Sequence, residues 1–185
     1  ALTSLNLGNI TTLGMKAFKG TKITSVTIPE TVTSIGSSVF EGCTSLTTVT
    51  YNTATKVGSS MFKGCTALAT VTLCDDLSEI GDSAFSGCTS LEKINLNKVA
   101  TLGSKSFEKC TGLTEITIGN PDITFHIYGD SFTGVTNATF AVPEKSVLSA
   151  DGGILYSGTK LVIDIDSRAN VIVKEGTTEI APNAF

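Results

Sequence analysis

Apolar residues return along this chain at a fixed interval. A triplet Leu2-x-x-Leu5-x-Leu7 recurs as Ile23-x-x-Val26-x-Ile28, Leu46-x-x-Val49-x-Tyr51, Leu68-x-x-Val71-x-Leu73, Leu91-x-x-Ile94-x-Leu96 and Leu113-x-x-Ile116-x-Ile118. Between triplets stand Phe18, Phe40, Phe62, Phe85 and Phe107, spaced 22, 22, 23 and 22 residues apart. Each lies four residues after a glycine: Gly14, Gly36, Gly58, Gly81 and Gly103. Phe132 follows after 25 residues, with Gly129 three before it. The alternation that ends each triplet is the period of a strand with one buried face. One unit cannot bury its apolar side alone, so successive units stack around a shared core. The pattern therefore predicts parallel strands near 4–7, 25–28, 48–51, 70–73, 93–96 and 115–118, about 4.8 Å apart. The glycine permits a backbone turn that a Cβ would hinder. The phenylalanines fill one buried column opposite the sheet. The stretch after each is too short for a long helix, which predicts irregular or 3₁₀ turns on the convex side.

The residues between the buried positions face outward. They are Ser25 and Thr27, Thr48 and Thr50, Thr70 and Thr72, Lys93 and Asn95, and Glu115 and Thr117. This hydroxyl-rich stripe is the candidate binding face, because repeat arrays recognise partners through extended sheet surfaces. Threonine also suits a strand and keeps it soluble, which is the plainer account of the same residues. The stripe lacks the Tyr, Trp and Arg anchors of tight interfaces.

The segment Ile28-Pro29-Glu30-Thr31-Val32-Thr33-Ser34-Ile35-Gly36-Ser37-Ser38-Val39-Phe40-Glu41-Gly42-Cys43 resembles the repeat of BspA-like, or Treponema-type, leucine-rich proteins. The resemblance runs from residue 2 to about 143 and resumes where Val173 to Phe185 matches Ile28 to Phe40. It implies an α/β repeat solenoid that is mostly β: a leucine-rich-repeat-like, right-handed stack of short parallel strands. It also implies a cell-surface or secreted location and adhesion to host proteins such as fibronectin and fibrinogen. Similar segments interrupt such arrays where this chain has Asp151 to Leu161, two β-rich runs around a Ser-Gly turn that read as a hairpin. The expected division is a repeat array over 1–143, a β-hairpin insertion over 144–170 and a resumed, incomplete repeat over 171–185. The unit from Ile118 to Phe132 departs from the pattern. It has two extra residues and carries Phe125, His126 and Tyr128.

Composition narrows the partners. A net charge of −4 and a pI near 5.0 argue against nucleic acid and against attraction to anionic lipid. No apolar run approaches the roughly 20 residues of a membrane-spanning helix, so no direct membrane insertion is expected. Cys43, Cys65, Cys88 and Cys110 each fall three residues after the repeat Phe. Equivalent side chains in stacked coils form a parallel row. This favours buried free thiols packed as small apolar groups over disulfides, whose Cβ atoms must come within ~3.8 Å. Cys74 sits at the position of Pro29 and is expected to be exposed and reactive. No cofactor or metal site is expected, since tetrahedral zinc needs ligands that converge.

No catalytic motif is present. His126 is the single histidine, and beside Phe125 and Tyr128 it reads as a packed aromatic ring. Asp75 with Asp76, and Asp164 with Asp166, read as solvated pairs. The sequence thus points to a non-catalytic extracellular recognition or adhesion module for an extracellular-matrix or cell-surface protein or glycan. The alternative is a structural spacer or accessory repeat domain of a larger surface protein or enzyme. The array has no polar terminal cap, so apolar residues at Leu2, Val171, Val173, Ile180 and Phe185 are expected at exposed ends, with weak end-to-end self-association.

Overall fold

The computed structural model describes residues 2–53, 56–96, 98–119, 126–127, 130–142, 148–151, 154–157, 160–164, 174–180 and 184. The strands are β1 (Thr12–Leu13), β2 (Ser25–Ile28), β3 (Ser34–Ile35), β4 (Thr48–Tyr51), β5 (Thr70–Leu73), β6 (Glu79–Ile80), β7 (Lys93–Asn95) and β8 (Thr101–Leu102). They continue as β9 (Glu115–Thr117), β10 (His126–Ile127), β11 (Thr139–Ala141), β12 (Leu148–Asp151), β13 (Ile154–Ser157), β14 (Lys160–Asp164) and β15 (Glu179–Ile180). The chain is a β-solenoid of short parallel strands. Its front carries β2-β4-β5 and β7-β9-β11, and a second ladder runs through β1-β3 and β6-β8-β10.

Register follows from the apolar triplets. Val26 pairs with Val49 and Val49 with Val71; Ile94 pairs with Ile116 and Ile116 with Phe140. Threonines then fall beside threonines on the outer face, where β-branched side chains suit a pleated surface. Beyond the repeats, β12, β13 and β14 pair antiparallel and β15 joins β14 in parallel.

One expectation about elements is corrected. Residues 4–7 form no strand, although they carry the triplet. A single backbone hydrogen bond, Lys22 N–H to Leu2 C=O at 3.0 Å, ties residues 2–7 to the next coil, and one bond does not make a ladder. Among the described residues there is no helix and no 3₁₀ segment, and the convex side is made of the irregular turns expected of this mostly β solenoid. The turns around each Phe enter the left-handed region twice. Ser38 has φ 58° and Gly42 φ 71°, and the pattern repeats at Ser60 and Gly64 and at Ser83 and Gly87. A helical run cannot pass through such residues.

The second glycine therefore supplies the turn at Gly42, Gly64 and Gly87, and Lys109 takes that place after Phe107 with φ 58°. The first has another task. A Cβ on Gly103 would lie 2.5 Å from the Asp82 backbone nitrogen, and one on Gly36 equally close to that of Met15. These positions are glycine because one coil's backbone rests directly on the next.

Opposite the front sheet the phenylalanine rings form one continuous stack. Phe18, Phe40, Phe62, Phe85, Phe107 and Phe132 follow each other with centroids 5.2 to 5.6 Å apart and planes within 16° of parallel. Phe140 meets Phe132 edge-on at 5.9 Å and 85°. Phe40, Phe62, Phe85 and Phe107 are fully buried; Phe18, with a ring neighbour on one side only, is half-buried. Leu2 and Ile180 are exposed, at 44% and 50%, while Val171, Val173 and Phe185 lie outside the described residues.

Cys43, Cys65, Cys88 and Cys110 are free and buried. They are more than small apolar groups. Each thiol donates to the carbonyl of the Phe one coil earlier: Cys43 to Phe18, Cys65 to Phe40, Cys88 to Phe62 and Cys110 to Phe85, at 3.1 to 3.2 Å. Cys74 is half-buried, and its thiol donates to the Thr53 carbonyl at 3.0 Å, so it is less open than its position implied.

Removing one ring of the stack leaves a gap that neighbours held by their own coils cannot fill. Phe62→Ala should cost about 3–5 kcal/mol in a denaturant titration. The thiols predict the alkaline limb of stability. Burial pushes the Cys88 thiol well above its ordinary value and that of Cys110 up to about 12. The folded chain then holds protons that the unfolded chain releases. Their stabilising share should be complete below pH ~8.5 and lost as pH rises from there towards 12. Unfolding measured across that range should show a shallower decline for Cys110→Ala than for the parent chain.

Candidate functional site

The candidate face lies on the front of the solenoid. Ser25, Thr27, Thr48, Thr70, Thr72, Lys93 and Asn95 are exposed there, and Thr50, Glu115 and Thr117 are half-buried. The face is not a continuous sheet. β5 and β7 do not pair, so it divides between Thr70–Leu73 and Lys93–Asn95. A groove of about 420 Å³ opens at the division, lined by Ala69, Thr70, Val71, Glu92, Lys93, Ile94, Asn95, Glu115 and Thr117. Five of the ten face residues lie in it. Val71 registers the opening: it is half-buried, whereas Val26, Val49, Ile94 and Ile116 are buried.

The division coincides with a change two residues before each central strand position, where the chain has Thr24, Thr47, Ala69, Glu92 and Thr114. Thr47 and Thr114 latch their coils to the previous ones. Thr47 donates both N–H and hydroxyl to the Thr24 carbonyl, at 2.8 and 3.0 Å. Thr114 does the same to Glu92, at 2.8 and 3.1 Å. Ala69 keeps the backbone bond to Thr47 at 3.0 Å but has no hydroxyl. Glu92 has no hydroxyl either, and among the described residues nothing joins its N–H to the Ala69 carbonyl. The second ladder stays closed behind the gap, with β6 on β8 and Gly103 N–H on the Ile80 carbonyl at 2.8 Å.

The electrostatics of the groove are mixed. Lys93 spans β7 and β9 to reach Glu115 at 2.8 Å, and the Thr117 hydroxyl donates to the same carboxylate at 3.3 Å. The Lys93 ammonium holds the Glu115 carboxyl below its ordinary value, and Glu115 raises that of Lys93. Glu92 has no ion pair among the described residues. Asp76, read as solvated, pairs with Lys98 at 2.9 Å. The backbone of His126 lies in β10 against Thr101. Phe125, Tyr128 and Asp166 lie outside the described residues. No group of three metal-ligating side chains occurs among the described residues. No helix there is long and apolar enough to cross a membrane.

The pattern of the BspA type leucine-rich repeat region matches residues 11–139 in six copies. The chain belongs to the BspA-type leucine-rich repeat family. Two solved structures share the fold of this BspA-type array. A leucine-rich repeat protein from Bacteroides ovatus is 26% identical, with a TM-score of 0.54 over 70% of this chain and 45% of that one. The leucine-rich repeat protein of T. pallidum is 24% identical, with a TM-score of 0.54 over 72% of this chain and 64% of that one. The chain thus spans less than two thirds of either relative. No curated protein sequence matches it.

The expected face included five of the groove's residues but neither Ala69 nor Glu92, which also line it. Their signal was the interruption of the threonine series. Restoring it should close the groove: Glu92→Thr places a hydroxyl opposite the Ala69 carbonyl and should raise stability by about 1 kcal/mol. Slower hydrogen exchange at the residue-92 amide would check that the strands have paired.

Proposed function

We propose that this BspA-type array is a non-catalytic recognition module of a cell-surface or secreted protein. It would bind an extracellular-matrix or cell-surface protein or glycan through Ser25, Thr27, Thr48, Thr50, Thr70, Thr72, Lys93, Asn95, Glu115 and Thr117. The observation that carries the reading is the groove at the divided front sheet, a concave polar site on a surface that a spacer would have no reason to open. Family membership supports it, because repeat arrays of this kind mediate protein interactions. The recognition unit would be residues 1–143, with 144–170 as a hairpin insertion and 171–185 as a resumed repeat.

The test is a binding screen of the chain against extracellular-matrix proteins and a glycan array, repeated with Thr50→Arg and Thr117→Arg. Bulky charged side chains on the face should weaken the ligand found by about tenfold or more. Lys63→Glu, on the turn side, should leave it unchanged. Binding indifferent to the face variants would overturn the assignment. Silence across the screen would favour a structural spacer.

A further inference from the structure

The groove carries more than a general recognition face. We infer that it captures a single arginine side chain presented by a partner protein, an inference that rests on the recognition role proposed above. Its chemistry is that of acceptors. The Glu92 carboxylate is exposed and unpaired among the described residues. The Ala69 carbonyl occupies the place where the Thr24, Thr47 and Glu92 carbonyls receive N–H groups from the next coil, and it receives none among the described residues. Glu115 adds a second carboxylate, and the one ammonium present, Lys93, is engaged by it at 2.8 Å. Two carboxylates against one ammonium leave the groove negative.

A guanidinium offers five N–H donors and no acceptor, which is the complement of such a site. Its hydrocarbon stem would lie along Ala69 and Val71, the accessible apolar part of the lining, while the head meets the carboxylate. A hydrogen bond between two ions, made partly out of water, is stronger than one between neutral groups. A sugar fits less well. It presents donors and acceptors in equal measure, and the groove has no aromatic surface on which a ring could lie. The turn side keeps the two coils stacked behind the gap, where Phe85 N–H donates to the Ser106 carbonyl at 2.8 Å.

The experiment follows the Val71 and Ile94 methyl groups by NMR while the chain is titrated with the peptide acetyl-Gly-Ser-Arg-Ser-Gly-amide and with its citrulline counterpart, which keeps the shape and loses the charge. The arginine peptide should move both methyls saturably. The citrulline peptide, and the arginine peptide on Glu92→Gln, should bind about tenfold more weakly. Glu30→Gln, an exposed carboxylate outside the groove, should change nothing. Glu92→Thr should abolish the response by closing the groove. Thermal unfolding of each variant separates lost binding from lost fold. Equal response to arginine and citrulline, indifference to Glu92→Gln, or methyl shifts produced by a soluble oligosaccharide instead of the peptide would overturn the inference. Should the methyls stay still while Thr50→Arg and Thr117→Arg still abolish binding to an extracellular protein, the guanidinium site is wrong and the recognition face stands.

Discussion

Every coil is fastened to the next through its phenylalanine. The ring stacks on the following ring, the residue's N–H donates to a carbonyl of the following coil and, from Phe18 to Phe85, its carbonyl accepts that coil's thiol; after Phe107 the thiol is replaced by Val135. At Phe62 these are a ring contact of 5.4 Å to Phe85, a bond of 2.8 Å to Ala84 and one of 3.2 Å from Cys88. The three links require the same residue types at the same place in each coil. That requirement sets the repeat length and leaves the front sheet free to vary. Aromatic pairs contribute about 0.5–1.5 kcal/mol each beyond the area they bury, so the stack is a chain of modest links that acts through its number.

The front sheet could tolerate a gap because of that arrangement. With the turn side bonded from Ser83 to Ser104 at 2.8 Å and from Phe85 to Ser106 at 2.8 Å, β5 and β7 need not pair for the coils to stay stacked. Ala69 lacks the threonine hydroxyl and still stays paired to the coil before it, so the opening lies at the Glu92 junction alone. A groove built in this way costs a few hydrogen bonds and no core packing beyond the partial exposure of Val71.

Much of the fold was legible in the triplets and the phenylalanine spacing, because a buried column must repeat in sequence if it repeats in space. Strands 25–28, 48–51 and 70–73 carry the expected bounds, and 93–95 and 115–117 end one residue short. What the pattern could not convey was pairing. Leu2, Leu5 and Leu7 have the right spacing, yet a strand also needs a run of bonds to a neighbour, and residues 2–7 have one. The glycines were misread for a similar reason. Gly103 and Gly36 look like turn residues within their own coils, and their task becomes clear only when the adjacent backbone is in place. The face residues were visible by alternation. The groove was not, since alternation along Thr70–Leu73 and Lys93–Asn95 is the same whether or not the two strands pair.

The cysteine row has one more consequence. Cys43, Cys65, Cys88 and Cys110 have no accessible surface while the coils are closed, so an oxidant outside cannot reach them. They become accessible together with the Phe stack when coils separate. A sulfur oxidised at that moment can no longer donate to its carbonyl, and its polar oxygens would have to return to an apolar interior. The coils would then be kept from closing again. Chemistry at these four atoms would thus act as a ratchet, converting a brief opening of the array into a permanent one and leaving a record of it in the oxidation state of sulfur.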